Sequence, residues 1–339
     1  TINKSIMKRL VILMLTATLF TACFESPAYI HNSGNFELIQ LADGVYACIH
    51  KVGGKAICNT GIIDNGEETL IFDSFLSPDV AKEMLIVVER LGLSPVKYLI
   101  NSHYHNDHIR GNQVFPAGVK IISTRETADL IREWEPKNIE EESIYALPRF
   151  NYYDSLYRAF KGDTGRLDYQ AIRMWKPYFE TLARSHTEIQ TRLPDFLIEE
   201  SYSLDGPGRR AQLLVLGKGH TPSDLVLYLP DDKVLFAGDL VFNMNHPWVA
   251  DGSIRGWEMA LKELRTLDAT AIGPGHGPIG GKQTIAIMEN YLSDLNRVAR
   301  EMKEAGLSAK EAVSQPIPEQ YKNWLLGEFY PSNLRFVLD

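Results

Sequence analysis

The run Asn101-Ser-His103-Tyr-His105-Asn-Asp107-His108 stands directly after Val96-Lys-Tyr-Leu-Ile100, which has the pattern of a buried strand. Three imidazoles and a carboxylate therefore fall within six residues at a strand's carboxyl end. A lone histidine is usually a satisfied structural residue. This density on a loop is hard to explain without a metal ion, the plain alternative being a solvated polar turn. Residues two apart in extended backbone point the same way, so His103 and His105 can clasp one ion. Asp107 and His108 come as the chain turns toward the next helix, aim elsewhere, and can hold a second. Three further candidates share the context of a strand followed by a loop: His220 in Gly217-Lys-Gly-His-Thr-Pro, Asp239 after Val234-Leu-Phe-Ala-Gly, and His276 in Gly273-Pro-Gly-His-Gly-Pro. Each is weak alone. Together they supply five histidines and two aspartates, enough for a dinuclear site, with a donor set that suits zinc and admits iron or manganese.

The rest of the chain reads as mixed α/β. Strands are expected at 36–41, 44–49, 56–58 and 69–72 as a meander, then at 96–100, 119–122, 213–216, 225–229, 234–236 and 271–273. Ser77-Pro78 starts a helix that runs to Leu91-Gly92. Further helices are expected at about 125–134, 254–267 and 285–302, the last stopped by Gly306. Residues 136–195 are aromatic-rich and helical, and look like an insertion or lid. Its tyrosines, including Tyr145, Tyr152, Tyr153 and Tyr157, either cap an apolar substrate or form the insertion's own core. His246 and Trp248, close after Asp239, are candidates for the pocket. The apolar tail Phe329–Phe336 is expected to dock on the domain or on a second chain. A net charge of −8 argues against a dedicated nucleic-acid binder, because phosphate contacts need a basic surface.

The N-terminus has the form of an export signal. Met7-Lys8-Arg9 precedes an uncharged apolar run from Leu10 to Phe20, too short to span a membrane. Thr21-Ala22-Cys23 resembles a bacterial lipobox, with Phe20 where Leu is usual. The resemblance implies lipidation of Cys23, and Phe24 after it favours an outer-membrane anchor facing the periplasm. Cys48 and Cys58 flank a turn at 51–55. A two-residue turn at Gly53-Gly54 would place Cys48 opposite Asn59, out of register by one, so free buried thiols are expected over a bridge. The organisation expected is a signal at 1–22, a linker at 23–35, a catalytic domain at 36–305 containing the 136–195 insertion, and a helical tail at 306–339.

His103-x-His105-x-Asp107-His108, followed by His220, Asp239 and His276 in that order, resembles the metallo-β-lactamase superfamily. The resemblance implies an αββα four-layer sandwich with metals at one edge of its sheets. It implies two Zn2+ ions, the first held by His103, His105 and His220, the second by Asp107, His108 and His276, with Asp239 bridging. Asp73 matches the family's aspartate behind the ligands. The activity implied is hydrolysis of a carbonyl bond in a small molecule by a metal-bound hydroxide, with Asp107 orienting it or passing a proton. No Gly-x-Ser-x-Gly elbow competes with this. A complete Asp239/His276 half looks more like lactonases, glyoxalase II and related esterases or thioesterases than zinc β-lactamases. The exported address keeps a β-lactamase in view, and a mononuclear iron oxygenase like the persulfide dioxygenases is the alternative from another class. No nucleic-acid partner is expected, and membrane contact only through the signal or the anchor at Cys23.

Overall fold

A computed structural model describes residues 29–338. The segment from Met7 to Cys23, with its export and lipidation reading, lies outside the described residues.

Two sheets face each other. The first has eight strands in sequence order: β1 (Tyr29–Asn32), β2 (Phe36–Ala42), β3 (Val45–His50), β4 (Thr60–Asp64), β5 (Thr69–Phe72), β6 (Val96–Ile100), β7 (Lys120–Thr124) and β8 (Phe196–Ile198). It is antiparallel through β5 and parallel from β5 to β8. The second has five, ordered β13-β12-β11-β10-β9: β9 (Tyr202–Ser203), β10 (Gln212–Gly217), β11 (Asp224–Leu229), β12 (Val234–Phe242) and β13 (Ala271–His276). β3, β11 and β12 are buried along their whole length, which is why they read as near-continuous apolar runs.

The core follows from these layers. Leu70, Phe72 and Ile100 of the first sheet meet Leu213, Leu227 and Phe236 of the second. At Gly61 a side chain would run into the Phe236 ring, so glycine there lets the sheets close. Outside the first sheet, helix α1 (Pro78–Arg90) packs Met84 and Val88 on Leu99 and Ile121. Outside the second, helices α5 (Ile254–Leu264) and α6 (Lys282–Glu304) bring Trp257, Met288 and Leu292 to Leu235 and Val241. The order is helix, sheet, sheet, helix, as expected. The tail ends in a helix (Phe329–Leu338) whose Tyr330 and Leu334 join this outer cluster, so it docks on its own domain.

Two local expectations fail. Ala56–Cys58 forms no strand; residues 51–59 make a longer loop, and Cys48 pairs with Thr60 across β3 and β4. Cys48 and Cys58 are both free and buried. The helix expected to stop at Trp134 continues as α3 (Arg125–Ala159), through Pro136 and Pro148. Each proline costs a backbone hydrogen bond and crowds the preceding turn. Packing against helix α4 (Leu167–Ser185) and a buried ion cluster offset this: Arg110 Nε donates to Glu135 Oε1 at 2.7 Å, and its Nη2 lies 2.7 Å from Glu142 Oε2.

Candidate metal centre

The two halves of the sandwich meet at one edge, where strands from both sheets run out together. His103 and His105 leave the end of β6, and Asp107 and His108 sit on the single-turn helix α2 (Asn106–Ile109). His220 comes from the loop between β10 and β11, Asp239 from within β12, and His276 from the end of β13. Ligand atoms of His103, His105, His220 and Asp239 lie within 4.8 Å of one another, and so do those of His108, Asp239 and His276. Asp239 belongs to both groups: its Oδ2 is 3.3 Å from Nε2 of both His220 and His276, and its Oδ1 is 3.2 Å from His108 Nε2. Asp107 Oδ2 lies 3.4 Å from His276 Nε2 and 3.6 Å from His108 Nε2. All seven residues singled out by spacing therefore converge. Cys58, unforeseen as a neighbour, closes a third group with Asp107 and His108, its Sγ donating to the Asp107 carbonyl at 2.9 Å.

Four of the five imidazoles are held from behind, which decides which nitrogen faces the centre, while His220 Nδ1 is buried without a hydrogen-bond partner. Asp73, fully buried, accepts from Ser102 N, Ser102 Oγ and His108 Nδ1 at 2.8, 2.8 and 2.9 Å. Ser102 Oγ in turn sits 2.8 Å from His103 Nδ1. One carboxylate thus orients two rings and leaves both Nε2 atoms aimed inward. His276 Nδ1 reaches the carbonyl of Ile57 at 3.1 Å. His105 Nε2 lies 3.1 Å from Asp251 Oδ2, which turns its Nδ1 toward the centre. Ile57 and Asp73 both have positive φ, 73° and 63°. Such conformations cost about 1–3 kcal/mol and cluster at functional sites.

The electrostatics suit cations. Burial holds His103 well below the usual imidazole range and pushes His220 down to about 3, so both are neutral and free to ligate at pH 7. Burial opposes charge on His108 and His276 as well, but nearby Cys58, Asp239, Asp107 and Asp73 pull His108 well up, and Asp239 with Asp107 raises His276. The Asp239 carboxyl is held well below its ordinary range against its burial, by His276 and His108. His103 Nε2, His108 Nε2 and Asp239 Oδ1 are buried without a well-formed hydrogen bond. Orphaned polar atoms at the focus of a carboxylate–imidazole cluster fit a bound dication.

The description Metallo-beta-lactamase superfamily matches residues 53–276, more than half of the chain. The chain belongs to the metallo-beta-lactamase superfamily. Among its relatives in the superfamily is the metallo-beta-lactamase type 2 of Bacillus sp. (strain 170), 24% identical over 263 residues, 74% of this chain and 80% of that protein. The linear primary-alkylsulfatase of Pseudomonas sp. (strain ATCC 19151) is 24% identical over 66% of this chain and 42% of its own. A solved stereoselective inverting sec-alkylsulfatase from Pseudomonas sp. superposes with a TM-score of 0.64 at 19% identity, over 89% of this chain and 49% of that one. This chain thus spans under half of either alkylsulfatase. Like these superfamily members it is a metal-dependent hydrolase.

A cavity of about 490 Å³ opens above the superfamily's ligand cluster. Of the residues expected in it, Trp248 lines it, as does Tyr145. His246 does not: it is fully buried, bonded to Tyr291 Oη at 3.0 Å and to the Tyr321 carbonyl at 3.2 Å, because the chain after β12 turns it inward. Tyr152 and Tyr157 do not either. They are 55% and 41% exposed, about two and three turns farther along α3 than Tyr145, beyond the reach of the cavity. Tyr153 stacks on Phe179 inside that hairpin. The residues missed are Met174, Trp175 and Tyr178 of α4, Phe329, and Asp251. Asp251 carried a usable signal, lying three residues past Trp248. Phe329 carried none, since nothing in its local sequence points 50 residues back to His276.

Proposed function

We propose that the chain uses two zinc ions to hydrolyse a carbonyl bond of a small molecule: an ester, lactone, thioester or β-lactam. The convergence of two aspartates and five histidines with orphaned inward atoms carries this reading. His103, His105 and His220 would hold one ion, Asp107, His108 and His276 the other, and Asp239 both. When bound, such ions supply Lewis acidity and bring the pKa of water toward neutrality. Asp107, only partly buried and lining the cavity, is the carboxylate positioned to take a proton from the attacking water at Oδ2 and return it to the leaving group. Asp73 and Asp251 hold the rings still meanwhile.

Zinc-loaded protein should turn over at least one of a lactone, a thioester, an aryl ester and a chromogenic cephalosporin; a sulfate ester belongs in the panel because alkylsulfatases are among the relatives. Asp239→Ala should lower both zinc content and turnover. Full activity in a folded, metal-poor Asp239→Ala protein would sink the reading, and so would one iron per chain with oxygen uptake. We also propose export with a lipid on Cys23, supported by the basic start, the apolar run and Thr21-Ala22-Cys23. Cys23→Ser should move the protein from the membrane fraction to the soluble one.

A further inference from the structure

The cavity above the centre has two unlike ends. Its floor is the ligand cluster. Its walls are mainly aromatic and come from four segments, Tyr145 on α3, Met174, Trp175 and Tyr178 on α4, Trp248 after β12, and Phe329, with Asn106, Asn138, Glu142 and Asp251 as polar members. The rings form a continuous edge-to-face series. Trp175 meets Tyr178 at 5.5 Å and Phe329 at 5.8 Å, and Phe329 meets Trp248 at 5.5 Å. Glu328, beside Phe329, accepts a hydrogen bond from Trp175 Nε1 and fixes the seam.

Among the described residues, the lining contains neither lysine nor arginine. Three of the cations around it are engaged, while Arg149, one turn past Tyr145, is exposed and outside the lining. Arg110 is spent on Glu135 and Glu142, Arg173 donates to the Val52 carbonyl at 2.6 Å, and Lys55 lies 3.7 Å from Glu180. The two wall carboxylates are engaged too, Glu142 by Arg110 and Asn106 and Asp251 by His105 and Trp248. An anionic substituent lying along these walls would lose its water among ring faces that are themselves partly negative, with no counter-charge to meet it. An apolar group would displace water from apolar surface at no such cost.

We propose that this cavity selects uncharged apolar or aromatic acyl and alkyl groups, so that the substrate carries no anionic group remote from the bond that breaks. This narrows the hydrolase reading of the same site and rests on it.

The test compares matched pairs on the zinc-loaded protein. 4-Nitrophenyl hexanoate should exceed its ω-carboxylate counterpart by at least tenfold in kcat/KM, and hexanophenone should bind at least tenfold tighter than the same ketone bearing a terminal carboxylate, read by calorimetry. Phe329→Arg, with zinc content checked, should improve the carboxylate ester relative to the neutral one by tenfold or more. Equal or better use of the carboxylate ester by the unaltered protein overturns the selectivity and leaves the hydrolase reading standing. Preferred binding of the neutral ketone without turnover of any ester does the reverse: the selectivity stands and the hydrolase reading falls.

Discussion

Asp73 shows how much a single side chain can organise. It sits at φ 63°, where few residues other than glycine, asparagine and aspartate are comfortable, and its carboxylate receives three hydrogen bonds that aim two imidazoles. Asparagine would keep the backbone conformation but turn an amide donor either toward Ser102 N or toward both Ser102 Oγ and His108 Nδ1, all of which now donate to the carboxylate. Asp73→Asn should therefore fold normally and bind zinc about 10–100-fold more weakly. Zinc titration followed by a competing chelator reads this, and activity restored by excess zinc would separate orientation from folding. Unchanged affinity would mean that the rings hold their aim without it. The seven clustered residues were legible from spacing because ligands to one ion must project from strand ends. Ser102 and Ile57 were not, because a serine and an aliphatic residue acquire their roles only from what folds against them.

At the scale of elements, the strands were the most legible part. β2, β5, β6 and β11 fall within a residue or two of expectation, since half-buried or buried strands show their period directly. α3 was not legible, because Pro136 and Pro148 both signal an end and the compensation is remote. Its anchor is Arg110, buried between Glu135 and Glu142, which lie seven residues apart on one face. Glu142 also accepts from Asn106, between His105 and Asp107, at 3.0 Å. Removing the cation leaves two buried carboxylates facing each other. Arg110→Ala should cost about 3–5 kcal/mol in chemical denaturation. A loss below about 1 kcal/mol would show that the α3–α4 contact alone carries the helix past its prolines.

For the whole molecule, stability is tied to keeping buried groups neutral or paired. His246 joins the loop after β12 to α6 and the tail through Tyr291 and Tyr321. Burial pushes its imidazole down to about 4, the Tyr321 carbonyl opposing this in part. Above pH 6.5 neither the folded nor the unfolded chain protonates it, and it gives no pH dependence. Below that the unfolded chain takes up the proton and the folded one does not, so stability falls between about pH 6.5 and 4, by on the order of 3 kcal/mol. His246→Phe should lose about one proton from the slope of unfolding free energy against pH in that window, whatever its stability at pH 7. A slope equal to that of the unaltered protein would show that the ring is protonated in the fold.

The seam between Trp175 and Phe329 also sets an order in time. During synthesis every residue of the ligand cluster, His276 included, is added some fifty residues before Phe329. The centre's donors are thus complete while its substrate wall still lacks a side. The order of addition puts the capacity to hold metal before the capacity to hold a substrate.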